Sequence, residues 1–490
     1  MKHLLGTLVI CVLFCGSLAR AGEAFDRYFA DQTLRIDYHH AGDAEKETVS
    51  LDRLYAYGTW AGSLVNLIDK LDYGAYRHAL TDAESGAPIY ARGFDSYFKE
   101  YQSTATAKEG TWKTFHETAI VPLPKAKAVF SLEKRAPEGH MVEVFRVTID
   151  PADVAIIRNE GADPTVRVVK SLDNGDPHTH ADIAVVGEGY TVAEEAKFRR
   201  DLERFTKVFF ASEPCKSHKA RFNVYGILKP SAQSGIDEPR HGSFRATAVG
   251  ATFNSMGSER YILTEENQAL RDIARHVPYD ALYIMVNHHR YGGGGIYNFY
   301  CTFTADNQWS EYLMVHEFGH SFFGLADEYY TSAVAYEDYY ATGYEPAEPN
   351  ITAESDRAKL KWKHLVAPET EIPTPWEKSD YDAMDMAWQE TRRALNDRVA
   401  GLRRSGAPEA EVKAAEAEYD RRDREHAEKM YAYLSASERA GEVGAFEGAG
   451  YASTGLYRPM VDCIMFTKAQ RAFCKVCAEA MTRVIEWYAQ

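Results

Sequence analysis

The sequence predicts a multi-domain protein: an N-terminal all-β sandwich, then an α/β domain that carries a helical-hairpin insertion. Three observations lead there. Residues 22–165 hold β-branched runs punctuated by Gly, Asp and Pro, with no sustained helical period. From residue 175 onward, strand-like and helix-like segments alternate. Residues 380–440 are densely charged at helical spacing, and Ser405-Gly406-Ala407-Pro408 splits them into an αα-hairpin. The chain has 490 residues, more than the roughly 250–300 that one core supports.

The chain opens with Met1-Lys2-His3 and an almost wholly apolar run, Leu4–Leu18. Ala19-Arg20-Ala21 then sets small residues at positions −3 and −1 of a cut before Gly22, the pattern of a secretory signal peptide. The run is short of the roughly 20 residues that span a bilayer, and no later segment could cross one. Residues 1–21 are therefore expected to be a signal, and the protein to be exported: extracellular, periplasmic or at the cell surface. Cleavage removes Lys2 and Arg20 and no acid, taking the formal charge from −16 to −18. So acidic a chain argues against nucleic acid as a partner, because phosphate backbones need a basic face. Cys215, Cys301, Cys463, Cys474 and Cys477 remain, an odd count that allows at most two disulfides.

Within the sandwich, Ala119–Leu132 and Val144–Ile149 read as strands, with Thr165–Lys170 at its border. Leu51–Leu71 suits either helix or strand. His39 and His40 point to opposite faces of a strand and read as surface residues. Asp173–His178 is a turn or linker, and the second domain is set at 175–490. There Ile183–Val186 reads as a buried strand. Thr191 and Glu194 form a capping box for a helix reaching about Ala211. Arg221–Leu228 and Ala281–Asn287 read as strands. Tyr291–Ile296 contains four glycines and reads as a flexible hairpin turn. His288 and His289 read as polar loop residues. The charged faces of the insertion read as solvated, so it is assigned no chemistry, and His364 and His426 read as surface. Asn350-Ile351-Thr352 fits a glycosylation acceptor, a tripeptide too common to carry weight.

The chemistry lies between Glu311 and Tyr330. His316 and His320 are i,i+4 on an expected helix, about 40° apart, so both imidazoles share one face and can hold one Zn²⁺. Glu317 turns about 100° from His316, where it can take a proton from a zinc-activated water and later pass it to the leaving amine. Gly324 can turn the chain sharply, and Asp327 then returns an oxygen as third ligand, with Glu328 its rival. This resembles the metzincin layout, with the glycine and the aspartate each one residue late. Met465, in Cys463-Ile464-Met465-Phe466, suits the apolar methionine floor of that layout. The tyrosine that often follows the methionine by two is here Thr467; Tyr451, Tyr457 and Tyr297 are the alternatives. Cys463, Cys474 and Cys477 could hold a structural zinc, but a disulfide among them is the expectation outside the cytosol.

These residues resemble the immunoglobulin-A endopeptidase family of secreted metallopeptidases. The likeness rests on His316–Tyr329, Gly187–Thr191, Ser234–Asp237, Phe446–Tyr451, Tyr457–Pro459, Cys463–Met465 and Phe473–Cys477. Glu188 stands where the family more often has aspartate. The resemblance implies a zinc-dependent endopeptidase with one catalytic ion, a metzincin-like domain, an N-terminal β-sandwich and a protein or glycoprotein substrate. It does not imply immunoglobulin A. It further implies an edge strand above the cleft, for which Ile296–Thr304 is in place, with Tyr297, Phe299 and Tyr300 shaping substrate pockets. The competing reading is a non-catalytic surface or glycan-binding protein with a vestigial zinc site.

Overall fold

The computed structural model describes residues 22–158, 161–332, 334, 339–340 and 343–490. The signal read at residues 1–21 lies outside the described residues. No described helix is long and apolar enough to cross a membrane.

Two four-stranded sheets come first. One has the order β5-β1-β2-β8 and the other β4-β3-β6-β7. The strands are β1 Phe29–Gly42, β2 Glu47–Tyr57, β3 Tyr76–Asp82, β4 Pro88–Phe94, β5 Lys113–Pro124, β6 Ala128–Arg135, β7 Met141–Ile149 and β8 Ile157–Arg158. Leu34, Ile36, Tyr76, Leu80, Val121 and Phe130 project from both sheets into one apolar core, which is how two sheets hide their inner faces. The ambiguous stretch after Leu51 is strand to Tyr57 and irregular beyond it.

The outer face of β1 is buried as well. Arg35, with no exposed side-chain area, chelates Asp37 and reaches Asp272 of the following unit. On the inner face, His40, read as a surface residue, is instead buried against Tyr76 and between Glu47 at 2.9 Å and Glu117 at 3.1 Å. A strand covered on both faces loses the simple alternation that marks burial in a sequence.

The second unit is built on a six-stranded sheet of order β13-β14-β12-β10-β11-β9. Its strands are β9 Arg167–Leu172, β10 Ala181–Glu188, β11 Phe222–Leu228, β12 Ala281–Val286, β13 Gly293–Ile296 and β14 Tyr300–Thr304. The four central strands are parallel, and the edge strands β9 and β13 run antiparallel to their neighbours. The run read at Thr165–Lys170 thus belongs to this sheet rather than to the sandwich. Every residue of β10 is buried, because helices cover both faces. Ile183 and Val185 face α1 (Glu195–Phe209), while Ala184 and Val186 face α2 (Asn267–Ala274). The Thr191–Glu194 capping box is formed at the turn that leads into α1.

Helix α3, Ser310–Ser321, lies on the α1 face. Two long helices, α4 Lys378–Arg404 and α5 Glu409–Ser435, form the helical hairpin. Strands β15 Phe446–Ala449 and β16 Ala452–Arg458 pair next, and α6 Lys475–Tyr488 follows. Asn66 donates to the Trp487 carbonyl at 2.7 Å, and Arg92 to the Tyr488 hydroxyl, so α6 ties the sandwich to the second unit.

Candidate metal centre and active site

Helix α3 is buried on nearly all sides, as its apolar composition dictates. Phe318 stacks on Tyr283 at 4.6 Å and packs against Phe209 and Phe322. That packing aims the opposite face, bearing His316, Glu317 and His320, into a cavity of about 170 Å³.

The helix ends in a left-handed residue. Gly324 has φ +64° and donates its N–H to the His320 carbonyl at 3.1 Å, and a Cβ there would press on the rings of Tyr73 and Tyr297. The reversed chain brings Asp327 back under α3, despite the extra residue before the glycine. Asp327 Oδ1 lies 3.2 Å from His316 Nε2 and 3.2 Å from His320 Nε2, and the two nitrogens are 3.2 Å apart. Tetrahedral ligands at about 2.0–2.1 Å from one ion stand roughly 3.3–3.4 Å from each other, so this triangle suits a Zn²⁺-sized cation. Glu328 points away, towards Cys477.

The surrounding contacts orient the same atoms. His316 Nδ1 faces the Ile464 carbonyl at 3.0 Å, and His320 Nδ1 faces the Leu325 carbonyl at 2.6 Å. Proton donation from Nδ1 leaves both Nε2 lone pairs directed at the triangle. Tyr451 donates its hydroxyl to Asp327 Oδ2 at 2.6 Å. Among the described residues Asp327 Oδ1 has no neighbour of donor type except the two imidazole nitrogens, and with those nitrogens unprotonated a buried carboxylate oxygen is costly unless a cation satisfies it.

Met465 is fully buried beneath α3. A Cβ on Gly319 would meet its sulfur at 2.8 Å, so the glycine between the histidines admits the methionine. Asn350, whose tripeptide carried no weight in the sequence, is buried. It clamps both backbone polar groups of Ala326, at 2.8 and 2.9 Å, one residue before Asp327.

The electrostatics favour positive charge at the triangle. Burial works against a charged His320, yet Asp327 outweighs it and brings His320 up to about 9. Burial also opposes charge on Asp327, but His320 and His316 hold that carboxyl well below the ordinary range. Glu317 is raised, chiefly by burial, against the lowering influence of the two histidines and of Arg260. Its carboxylate lies within 4.8 Å of both histidine ligand atoms.

The cavity walls depart from the sequence reading in two places. The edge strand is the glycine tract β13, not Ile296–Thr304. Strand β14 within that stretch is internal, paired with β12 and β13. A Cβ on Gly293 would strike Glu317 at 2.8 Å, and one on Gly295 the Glu317 carbonyl at 2.5 Å. The glycines therefore let a main chain lie directly on the histidine helix. Tyr297 lines the cavity, but Phe299 and Tyr300 are core residues. Phe299 sits under Arg271, and Tyr300 donates to the Thr264 carbonyl at 2.9 Å.

The helical hairpin is the second departure. Asp385, Trp388 and Gln389 of α4 and Asp423, His426 and Met430 of α5 form a wall of the cavity. His426, read as surface, is held by Asp385 at 2.8 Å and stacks on Trp388. A helix-interior glycine at 319 and a glycine run just before the histidine helix were usable sequence signals. Nothing local distinguishes Asn350 or the hairpin residues.

Two family models match the chain. One, described as IgA Peptidase M64, covers residues 169–485, and the other, Peptidase M64 N-terminus, covers residues 24–146. No curated protein matches it.

Proposed function

The chain belongs to the IgA peptidase M64 family, and from that premise we propose that it is an exported zinc-dependent endopeptidase with a metzincin-like catalytic unit. The observation that carries this reading is the triangle of His316 Nε2, His320 Nε2 and Asp327 Oδ1, with the Glu317 carboxylate beside it. These three residues would hold the ion. When bound, zinc supplies Lewis acidity, which polarises a peptide carbonyl and lowers the pKa of water.

The remaining work belongs to the protein. Glu317 takes the proton of the attacking water and returns it to the leaving nitrogen, and its burial-raised carboxyl suits both transfers. Arg260, in the cavity wall with its guanidinium 3.3 Å from the Tyr329 hydroxyl, is the cation available to the developing oxyanion. Gly293 of β13 is already bridged to Arg260 and Ile262, so an extended substrate would align along the strand beyond it, at Gly294–Ile296. Export rests on the apolar run and small-residue cut of residues 1–21. The family description names immunoglobulin A, but no feature of the cavity selects that substrate.

The test is Glu317→Ala. The variant should keep its histidine-bound zinc and lose about 10²–10⁴-fold in kcat/KM on a protein panel. Equal cleavage by variant and wild type would overturn the catalytic role and leave the non-catalytic reading. Zinc retained by a His316→Ala, His320→Ala, Asp327→Ala triple variant at wild-type stoichiometry would overturn the ligand set.

A further inference from the structure

Directly behind Asp327 lies a second convergent cluster. Glu328, Cys463, Cys474 and Cys477 are buried, and their ligand atoms all lie within 4.8 Å of one another. The Cys463 and Cys477 sulfurs are 3.8 Å apart, and Cys477 Sγ is 3.3 Å from Glu328 Oε1. Two thiolates at about 2.3 Å from one tetrahedral zinc stand roughly 3.8 Å apart. The backbone N–H of Cys474 donates to Cys463 Sγ at 3.2 Å, and that of Cys477 to Cys474 Sγ at 3.4 Å. Amide donors to sulfur favour thiolates over thiols.

A second observation points to a ligand. Glu328 Oε2 is fully buried and has no hydrogen-bond partner among the described residues. Its other oxygen accepts from Asn350, at 3.1 Å, and from the Cys477 thiol. Three sulfurs and a carboxylate packed together out of water repel one another once deprotonated, unless a cation sits among them. The expected disulfide is not formed: all five described cysteines are free. None of the four cluster residues lines the catalytic cavity, so the set is closed to substrate.

We propose that Glu328, Cys463, Cys474 and Cys477 bind a second, structural zinc ion. Thiolates favour zinc over harder cations, and four protein ligands leave no open coordination position. The neighbouring acids Asp327 and Glu328 thus serve two different ions. The structural zinc joins the loop that carries Asp327, the turn that carries Met465, and the start of α6. Glu328 N–H already donates to the Met465 carbonyl at 2.9 Å, so the ion fixes the catalytic floor to the third ligand. The proposal does not depend on the peptidase reading.

The test is zinc per chain by elemental mass spectrometry on protein purified without added metal. We expect two ions in wild type, one in His316→Ala/His320→Ala, and one in Cys474→Ser/Cys477→Ser. A folded double-histidine variant with no zinc overturns the proposal. If wild type and that variant each hold one, the catalytic centre fails and this site stands. Should the cysteine variant not fold, cobalt replaces zinc in the double-histidine variant, where intense thiolate-to-cobalt charge-transfer absorption is expected. Its absence overturns the site. So does mapping of denatured, unreduced protein that finds Cys463, Cys474 or Cys477 closed to alkylation after chelation.

Discussion

In the sandwich, the Arg35 guanidinium spends three of its donors on Asp37 and Asp272, and Asp37 also accepts from Thr118 at 2.6 Å. Around α3, by contrast, Glu328 Oε2 has no donor among the described residues, and Asp327 Oδ1 has only the two imidazole nitrogens beside it. Both regions concentrate charge in the interior, but the Arg35–Asp37 pair is complete with protein atoms. Asp37, Asp52 and His116 also converge, and His116 Nε2 has no hydrogen-bond partner among the described residues, but both Asp37 oxygens are already taken. A self-satisfied cluster holds the fold together; an unsatisfied one of ligand-type atoms is built for something that arrives.

The largest test of that contrast is Asp37→Ala. It leaves buried Arg35 with Asp272 as its remaining carboxylate and should lower unfolding free energy by about 3 kcal/mol in urea titration. Zinc content should not change. Loss of metal in this variant would mean that the two regions are one energetic unit.

Next comes Tyr451→Phe, which removes the donor to Asp327 Oδ2. Affinity for the catalytic ion should fall about 10–100-fold in competition with a chelator. Metal-free stability should move by no more than about 1 kcal/mol, the usual worth of one hydrogen bond. A large loss of metal-free stability would place Tyr451 with the structural clusters.

The most gradual effect, spread over several pH units, concerns His78, packed on Phe94 and beside the Tyr38 hydroxyl. Burial, helped by Arg92 and Arg271, lowers it to about 3. The unfolded chain takes up a proton below about pH 6.5 and the folded one does not, so this group's stability contribution is full above that pH. It should shrink as pH falls towards 3, by at most about 1.4 kcal/mol per unit. The slope should persist after metal removal and become shallower in His78→Gln. A slope that disappears with the metal would assign it to His316 and His320 instead.

The histidine helix was legible because i,i+4 spacing is local, and so was the Gly324 return, because positive φ needs a residue without Cβ. Strands β10, β11 and β12 were legible as continuous apolar runs. What escaped depends on distant partners. The tract at 293–295 was read as a turn, since only the helix beneath explains why side chains are excluded. His426 and Asp385 were read as solvated, because a charged helix shows the same pattern whether its polar face meets water or a polar cavity. His40 was lost for the same reason, with its partner Glu117 lying 77 residues away. Three cysteines without their carboxylate suggested a disulfide; Glu328 completes the set from a position 149 residues before Cys477.

The centre also has an order of synthesis. Ile464, which orients His316, lies 148 residues after it. At about 5–20 residues per second, the histidine helix emerges roughly 7–30 s before its floor does. Throughout that interval a nascent chain carries the histidine helix without the turn that aligns it. The site is therefore set in time as well as in space, and comes into register only when the strands and turn after the helical hairpin have been made.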